Sequence, residues 1–425
     1  MTEENGKDFD EGVWAALEEA MQNAVDKGLP LEKVPEVVSQ VFRTALDESA
    51  PRVVGTLIET MPRMLTDHRR RRLRFERILR AYWTPSLNLL YAVIVSSEEA
   101  GRNFFTRHRY ESEANIPLLD ALGGLHARAC RTALEVHRLL SGGFPLGALS
   151  RCRTLHEISV TASVIGTHGA LSEHKDLPSR FMLHHHVSAY KDALQYQAAS
   201  PVLGHRSFEP QEMQHMLDRK NALVQKYGPD YARDYGWAAP LFGRAPHFAE
   251  LERLAEISHL RPYYRWASHE IHAGSKGLHL NVTESNGRSY LGTGPAIEGL
   301  ADPGQMAMIS LGQTTASFLL EPLETPSPKA MLAVESILLL MERAMDSLVL
   351  AEKAVAAHSA RVDRRQQRFE SKRGAAKRAR VVKMVIPSQD DGKKRGSVPS
   401  GVQNTSVDSA TAESFGKQAR EAMSD

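Results

Sequence analysis

The chain has only two cysteines, Cys130 and Cys152, among 425 residues. So few exclude a disulfide framework and a cysteine-based zinc site, and they fit a reducing compartment. Long apolar runs are missing too. Ile337–Met341 is among the longest, far short of the roughly 20 residues that span a bilayer, and the N-terminus is acidic rather than signal-like. A surplus of one charge is also absent: 53 basic against 51 acidic side chains leave +2, which excludes a polycation built to coat nucleic acid. Several catalytic signatures do not occur. There is no Gly-x-x-x-x-Gly-Lys-Ser/Thr phosphate loop, no strand leading into Gly-x-Gly-x-x-Gly, and no Gly-x-Ser-x-Gly elbow. His269-Glu-Ile-His272 falls one residue short of the zinc-protease spacing. The rings of His184, His185 and His186 would point about 100° apart on a helix, so they cannot grip one ion together. With 42% hydrophobic and 24% charged residues, what remains is an ordinary globular composition, long enough for two to three domain-sized units.

The near-neutral total hides blocks. Residues 1–50 carry twelve acidic side chains against Lys7, Lys27, Lys33 and Arg43, a local balance of −8. Within them Val13, Trp14, Leu17, Met21 and Val25 recur three or four apart, the pattern of an amphipathic helix. His68–Arg80 then packs seven arginines into thirteen residues, and Arg361–Lys383 holds ten basic residues against Asp363 and Glu370. Such blocks either touch phosphate or form solvated faces matched to the acidic head. After Pro387 the chain is poor in large apolar residues and is read as disordered.

Between these ends the apolar spacing is helical. Leu125, Ala129, Ala133, Val136 and Leu140 form one stripe, ended by Gly142-Gly143; Leu155, Ile158, Ala162 and Ile165 form the next, so the two make an antiparallel pair. Further helices are predicted over 178–197, 210–227, 248–258, 262–272, 304–321 and from 329 to about 383. Alternating residues around Asn286-Gly287 predict one small hairpin within 277–292. The expected fold is all-α: a multi-helix bundle with one small β-hairpin. The expected division is an acidic helical segment (1–62), an Arg-rich helical connector (63–114), a helical core (115–345), a basic helical extension (346–386) and a disordered tail (387–425).

The densest polar cluster is residues 262–275. At about 100° per residue, Tyr264, Ser268 and His272 share one helix face, and Arg265 lies within about 20° of His272. On the earlier helix, Arg153 and Glu157 are four apart with arginine first, the weaker order for a surface pair, which points to a tertiary partner. The expectation is that the guanidinium, hydroxyl and imidazole of 264–272 gather beside the Glu157 carboxylate.

Arg153-x-x-x-Glu157, followed about 110 residues later by Tyr264-x-x-x-Ser268-x-x-x-His272, resembles a family of bacterial helical proteins classed as a domain of unknown function, over roughly residues 120 to 290. The Arg265-x6-His272 spacing is also similar to the longer form of the Arg-x4–6-His motif of the higher eukaryote and prokaryote nucleotide-binding (HEPN) family. Trp266 departs from the polar residue usual after that arginine. The second resemblance implies metal-independent cleavage of single-stranded RNA at a site built across a dimer, of a toxin or phage-defence kind. Arg265 and His272 would be catalytic, with Arg153, Glu157, Tyr264 and Ser268 binding or supporting. The alternative is a non-catalytic interaction or regulatory module, with His272 a hydrogen-bonded core histidine and Arg265 a surface side chain. Expected partners are RNA, a second copy of the chain, and a protein docking on the acidic head or basic tail. No cofactor, metal or membrane is expected, and the expected location is cytoplasmic.

Overall fold

A computed structural model describes residues 14–385 apart from positions 24, 25, 29, 31, 32, 111–114, 281, 286, 287 and 324. The chain is an all-α helical bundle. In chain order its helices are α1 (Val34–His108), α2 (Ile116–Ser141), α3 (Pro145–Gly169), α4 (Leu177–Leu183), α5 (His185–Leu203), α6 (Pro210–Tyr227), α7 (Ala239–Phe242), α8 (Phe248–Leu254), α9 (Arg261–His269), α10 (Ser275–Leu280), α11 (Ala301–Leu320) and α12 (Pro328–Val385). Residues 14–23 are helical as well. Two short strands, Val282–Ser285 and Arg288–Leu291, pair antiparallel with Val282 opposite Leu291 and Ser285 opposite Arg288. The Asn286-Gly287 turn predicted between them, the N-terminal residues through 13 and the tail after residue 385 lie outside the described residues.

The bundle's centre is α2, α3 and α11, each packed on the other two. α2 starts because the Asn115 side chain accepts from the Leu118 amide (3.3 Å) and Pro117 presets the first turn. It stops at Gly142, and Gly143 follows at φ +79°, a conformation that favours glycine. A Cβ there would lie 2.5 Å from the Phe75 ring, so the same position brings α1 against the turn. Gly304 and Gly312 let α11 approach α12: added Cβ atoms would meet Leu348 at 2.8 Å and Met341 at 2.6 Å.

α1 is one unbroken helix, so the boundary expected at 62/63 falls inside it. A change in side-chain charge does not interrupt a ladder of backbone hydrogen bonds. Its two parts differ in packing. From Pro51 to Arg74 nearly every side chain is exposed, including Val54, Ile58, Met61 and Leu73. From Leu79 onward, Trp83, Leu90, Val93 and Ile94 are fully buried in the core. Trp83 Nε1 donates to the Ile297 carbonyl at 2.8 Å, and Ser86 Oγ donates to the Ser347 carbonyl of α12 at 2.9 Å. Contrary to the reading of short apolar runs, α1 contains an 18-residue stretch apolar enough by length and composition to cross a bilayer. In this structure the same helix supplies core residues.

The chain divides into two units, Met1–Arg364 and Arg365–Asp425. The first contains the bundle. In the second, the described residues continue as helix to Val385.

One buried group ties stability to pH. His126 on α2 is 4% exposed, and burial pushes its ring down from 6.5 to about 4. Unfolding frees the ring to protonate near its ordinary value, so the unfolded chain binds a proton below pH 6.5 that the folded chain refuses until about pH 4. Stability is therefore full above pH 6.5 and falls by roughly 3 kcal/mol between 6.5 and 4. Urea unfolding across that range should show the loss, and His126→Gln should flatten it.

Candidate functional site

Arg153 and Glu157 on α3 meet Tyr264 on α9. Glu157 Oε1 accepts from Arg153 Nε at 3.2 Å and from the Tyr264 hydroxyl at 2.9 Å. The Arg153 guanidinium also lies 4.9 Å from the centre of the Tyr264 ring, a cation–π distance. Burial, and next the Glu157 carboxylate, push the Tyr264 hydroxyl up to about 12, and the same two causes push Tyr235 to about 12. Tyr264 is therefore a neutral donor at physiological pH. Ser268 Oγ donates to the Tyr264 carbonyl at 2.8 Å, so it braces the helix rather than reaching the cluster.

His272 joins this group by a route the sequence did not predict. α9 ends at His269. The amides of Glu270, Ile271 and His272 fall back on the Ala267 and Ser268 carbonyls at 3.3 Å, a loosened last turn, and His272 lies in irregular chain beyond it. There it is exposed, and Arg153 Nη1 donates to its Nε2 at 3.3 Å. Arginine can only donate, so Nε2 holds its lone pair in this contact and Nδ1 carries the ring proton. The expected alignment of Arg265 with His272 required helix through 272 and is corrected. Arg265 is exposed and makes no hydrogen bond or ion pair with a described residue. The arginine beside His272 is Arg153.

A second, deeper cluster carried no sequence signal. Glu252 on α8 is fully buried; its Oε1 accepts from His156 Nε2 at 2.9 Å, and its Oε2 is paired with Arg261 at the start of α9. Burial lowers the His156 ring below its ordinary range, against the opposing pull of Glu252. The neutral ring therefore donates to a carboxylate whose charge is balanced by Arg261. The His156 ring stands 5.6 Å from Tyr264, and Phe248 stands 5.0 Å from it. This ion pair and these rings fix the position of Tyr264, and through it that of Arg153. A cavity of about 190 Å³ adjoins them, lined in part by His156, Tyr263, Tyr264, Met306 and Ser310. Near the end of α9, the Glu270 carboxyl has an oxygen buried with no described partner, and burial raises its pKa. Among the described residues, no three His, Cys, Asp or Glu side chains stand close enough together to hold a metal ion.

The exposed half of the first cluster offers one guanidinium and one imidazole lone pair. Its inner half is a carboxylate that takes up two donors. Such an arrangement can stabilise an oxyanion and accept a proton beside it.

Residues 119–289 match a family described as of unknown function (DUF5677). The matched span runs from the first turn of α2 into the second strand and includes Arg153, Glu157, Glu252, Tyr264 and His272. It leaves out α1, α11 and α12. No curated protein and no solved structure matches the chain.

Proposed function

We propose that the α3–α9 cluster is a metal-independent site for cleaving single-stranded RNA, of the HEPN-like kind used in toxin and phage-defence systems, centred on Arg153 and His272. The observation that carries this reading is the Arg153 guanidinium. It is anchored on Glu157 and Tyr264 at one edge and touches the exposed His272 ring at the other.

His272 Nε2 takes the proton of a ribose 2′-hydroxyl. The 2′-oxygen then bonds to the adjacent phosphorus, and the bond from phosphorus to the 5′-oxygen breaks. The proton returns from the imidazolium to that leaving oxygen. Arg153 turns from Nε2 to the phosphate oxygens, whose charge grows in the transition state. Glu157 and Tyr264 are positioning residues. Arg265, exposed on the same helix, contacts the neighbouring phosphate of the strand. The arginine block at 69–80 and the basic stretch at 361–383 add a sequence-independent, salt-dependent attraction.

The test is incubation of the full chain with a single-stranded RNA oligonucleotide in EDTA. Fragments ending in 2′,3′-cyclic phosphate and 5′-hydroxyl support the reading. Absence of cleavage, or equal cleavage by the His272→Ala variant, removes it. A non-catalytic interaction module is favoured by one observation: Glu157 already satisfies both Arg153 and Tyr264. On that reading Glu157→Ala lowers thermal stability and leaves RNA handling unchanged.

A further inference from the structure

Away from this cluster, α1, α2 and α11 enclose an open groove of about 630 Å³, within the size range of sites that hold small organic molecules. Its lining is mostly apolar. The rings of Phe105 and Phe318 and the side chain of Leu134 line it, together with His126 and Cys130. His126 Nε2 lies 3.2 Å from Thr315 Oγ1, whose own proton goes to the Leu311 carbonyl. His126 is therefore the donor, with its proton on Nε2. Burial, and after it the carboxylate of Glu98, push the Cys130 thiol up to about 12, so no thiolate forms there at neutral pH.

The rim is charged but unevenly paired. Asp120 pairs with Arg109 at 3.2 Å, and Arg102 sits 3.9 Å from Glu98. Arg131 is exposed and has no hydrogen bond or ion pair with a described residue. Among the described residues, one guanidinium at the mouth is thus left without an ion-pair partner.

Two adjacent glycines lie on the α2 wall, where helix propensity argues against them. Gly123 has a packing reason: a Cβ there would lie 3.1 Å from the Phe105 ring. Gly124 has none, because a Cβ there would meet nothing within 4 Å. The space that Gly124 leaves empty is the groove itself.

We propose that this groove binds a small amphipathic carboxylate, its apolar body against Phe105 and Phe318 and its anionic head at Arg131. The RNA-cleavage reading is not needed for this, and the two fail independently.

The test is isothermal titration calorimetry of the full chain with 1-naphthoate and with its neutral counterpart, 1-naphthalenemethanol. Saturable binding of the carboxylate is expected, weakened about tenfold in Arg131→Ala, and weaker binding of the alcohol. Gly124→Leu should raise the thermal midpoint, since leucine is the better helix former, while abolishing saturable binding. Ala127→Phe, at an exposed position on the same wall, is a second filling variant in case the first misfolds. Lack of naphthoate binding by the wild-type chain overturns the proposal. So does undiminished binding in a folded filling variant, or equal affinity for the alcohol.

Discussion

His272→Ala is expected to slow cleavage of single-stranded RNA by about 10²–10⁴-fold, the usual contribution of a general acid or base. Folding should be almost untouched, within about 0.5 kcal/mol, because the side chain is exposed and its one described bond is to Arg153. Arg153→Lys tests the other half of the pair. Arginine reaches Glu157 through Nε and His272 through Nη1, two edges of one rigid plane. An ammonium cannot hold both directions, so the variant should also lose the chemical step. Arg265→Ala should differ from both. It should weaken RNA binding, more at low salt than at high salt, and leave the single-turnover rate at saturating RNA unchanged. Rates from labelled oligonucleotide in EDTA separate these outcomes. A large single-turnover defect in Arg265→Ala, with none in Arg153→Lys, would return the centre to the α9 face predicted from spacing.

Glu252→Ala should be the most destabilising single change in this region, by about 3 kcal/mol. It removes a fully buried carboxylate and strands the donors of His156 and Arg261. The figure belongs at the low end of the range for broken buried pairs. Arg261 is 40% exposed and can turn to water, and His156 is neutral and leaves no buried charge. Glu252→Gln keeps the volume and one acceptor, so its loss should be smaller. Urea midpoints for the two variants give the comparison. Alanine and glutamine variants that both match the wild type would mean the pair adds nothing to stability.

The sequence disclosed the parts of this site that have a period. Four-residue spacing put Arg153 and Glu157 on one face of α3 and Tyr264 and Ser268 on one face of α9, and the fold brings Tyr264 to Glu157 across a sequence separation of 107. Spacing could not show where α9 stops. The last turn loosens because its amides have only weak, backward acceptors, and residue periodicity continues through Ile271 and His272 as though the helix did too. Continued periodicity therefore aligns Arg265 with His272, whereas the arginine that touches His272 is Arg153. Glu252 was invisible for a different reason. It is one of two acids, with Glu250, in the seven-residue helix Phe248–Leu254, and nothing in such a short stretch marks either carboxylate as buried. The α2–α3 hairpin was legible from its apolar stripes and its glycine stop. The continuity of α1 was not, because a change of charge between two helical segments gives no sign of whether one helix carries both.

That continuity separates geometry from protection. α1 is helical from Val34 to His108, its hydrogen-bond ladder lacking a donor only at Pro51, Pro62 and Pro85 inside it, yet only the stretch from about Leu79 is locked into the core. Hydrogen–deuterium exchange should therefore divide a single helix into two populations. Deuterium should enter residues 51–74 quickly, through local fraying, and reach the amides around Trp83–Ile94 only when the whole bundle opens. A uniform exchange rate along α1 would show that its outer half is clamped by something other than the bundle.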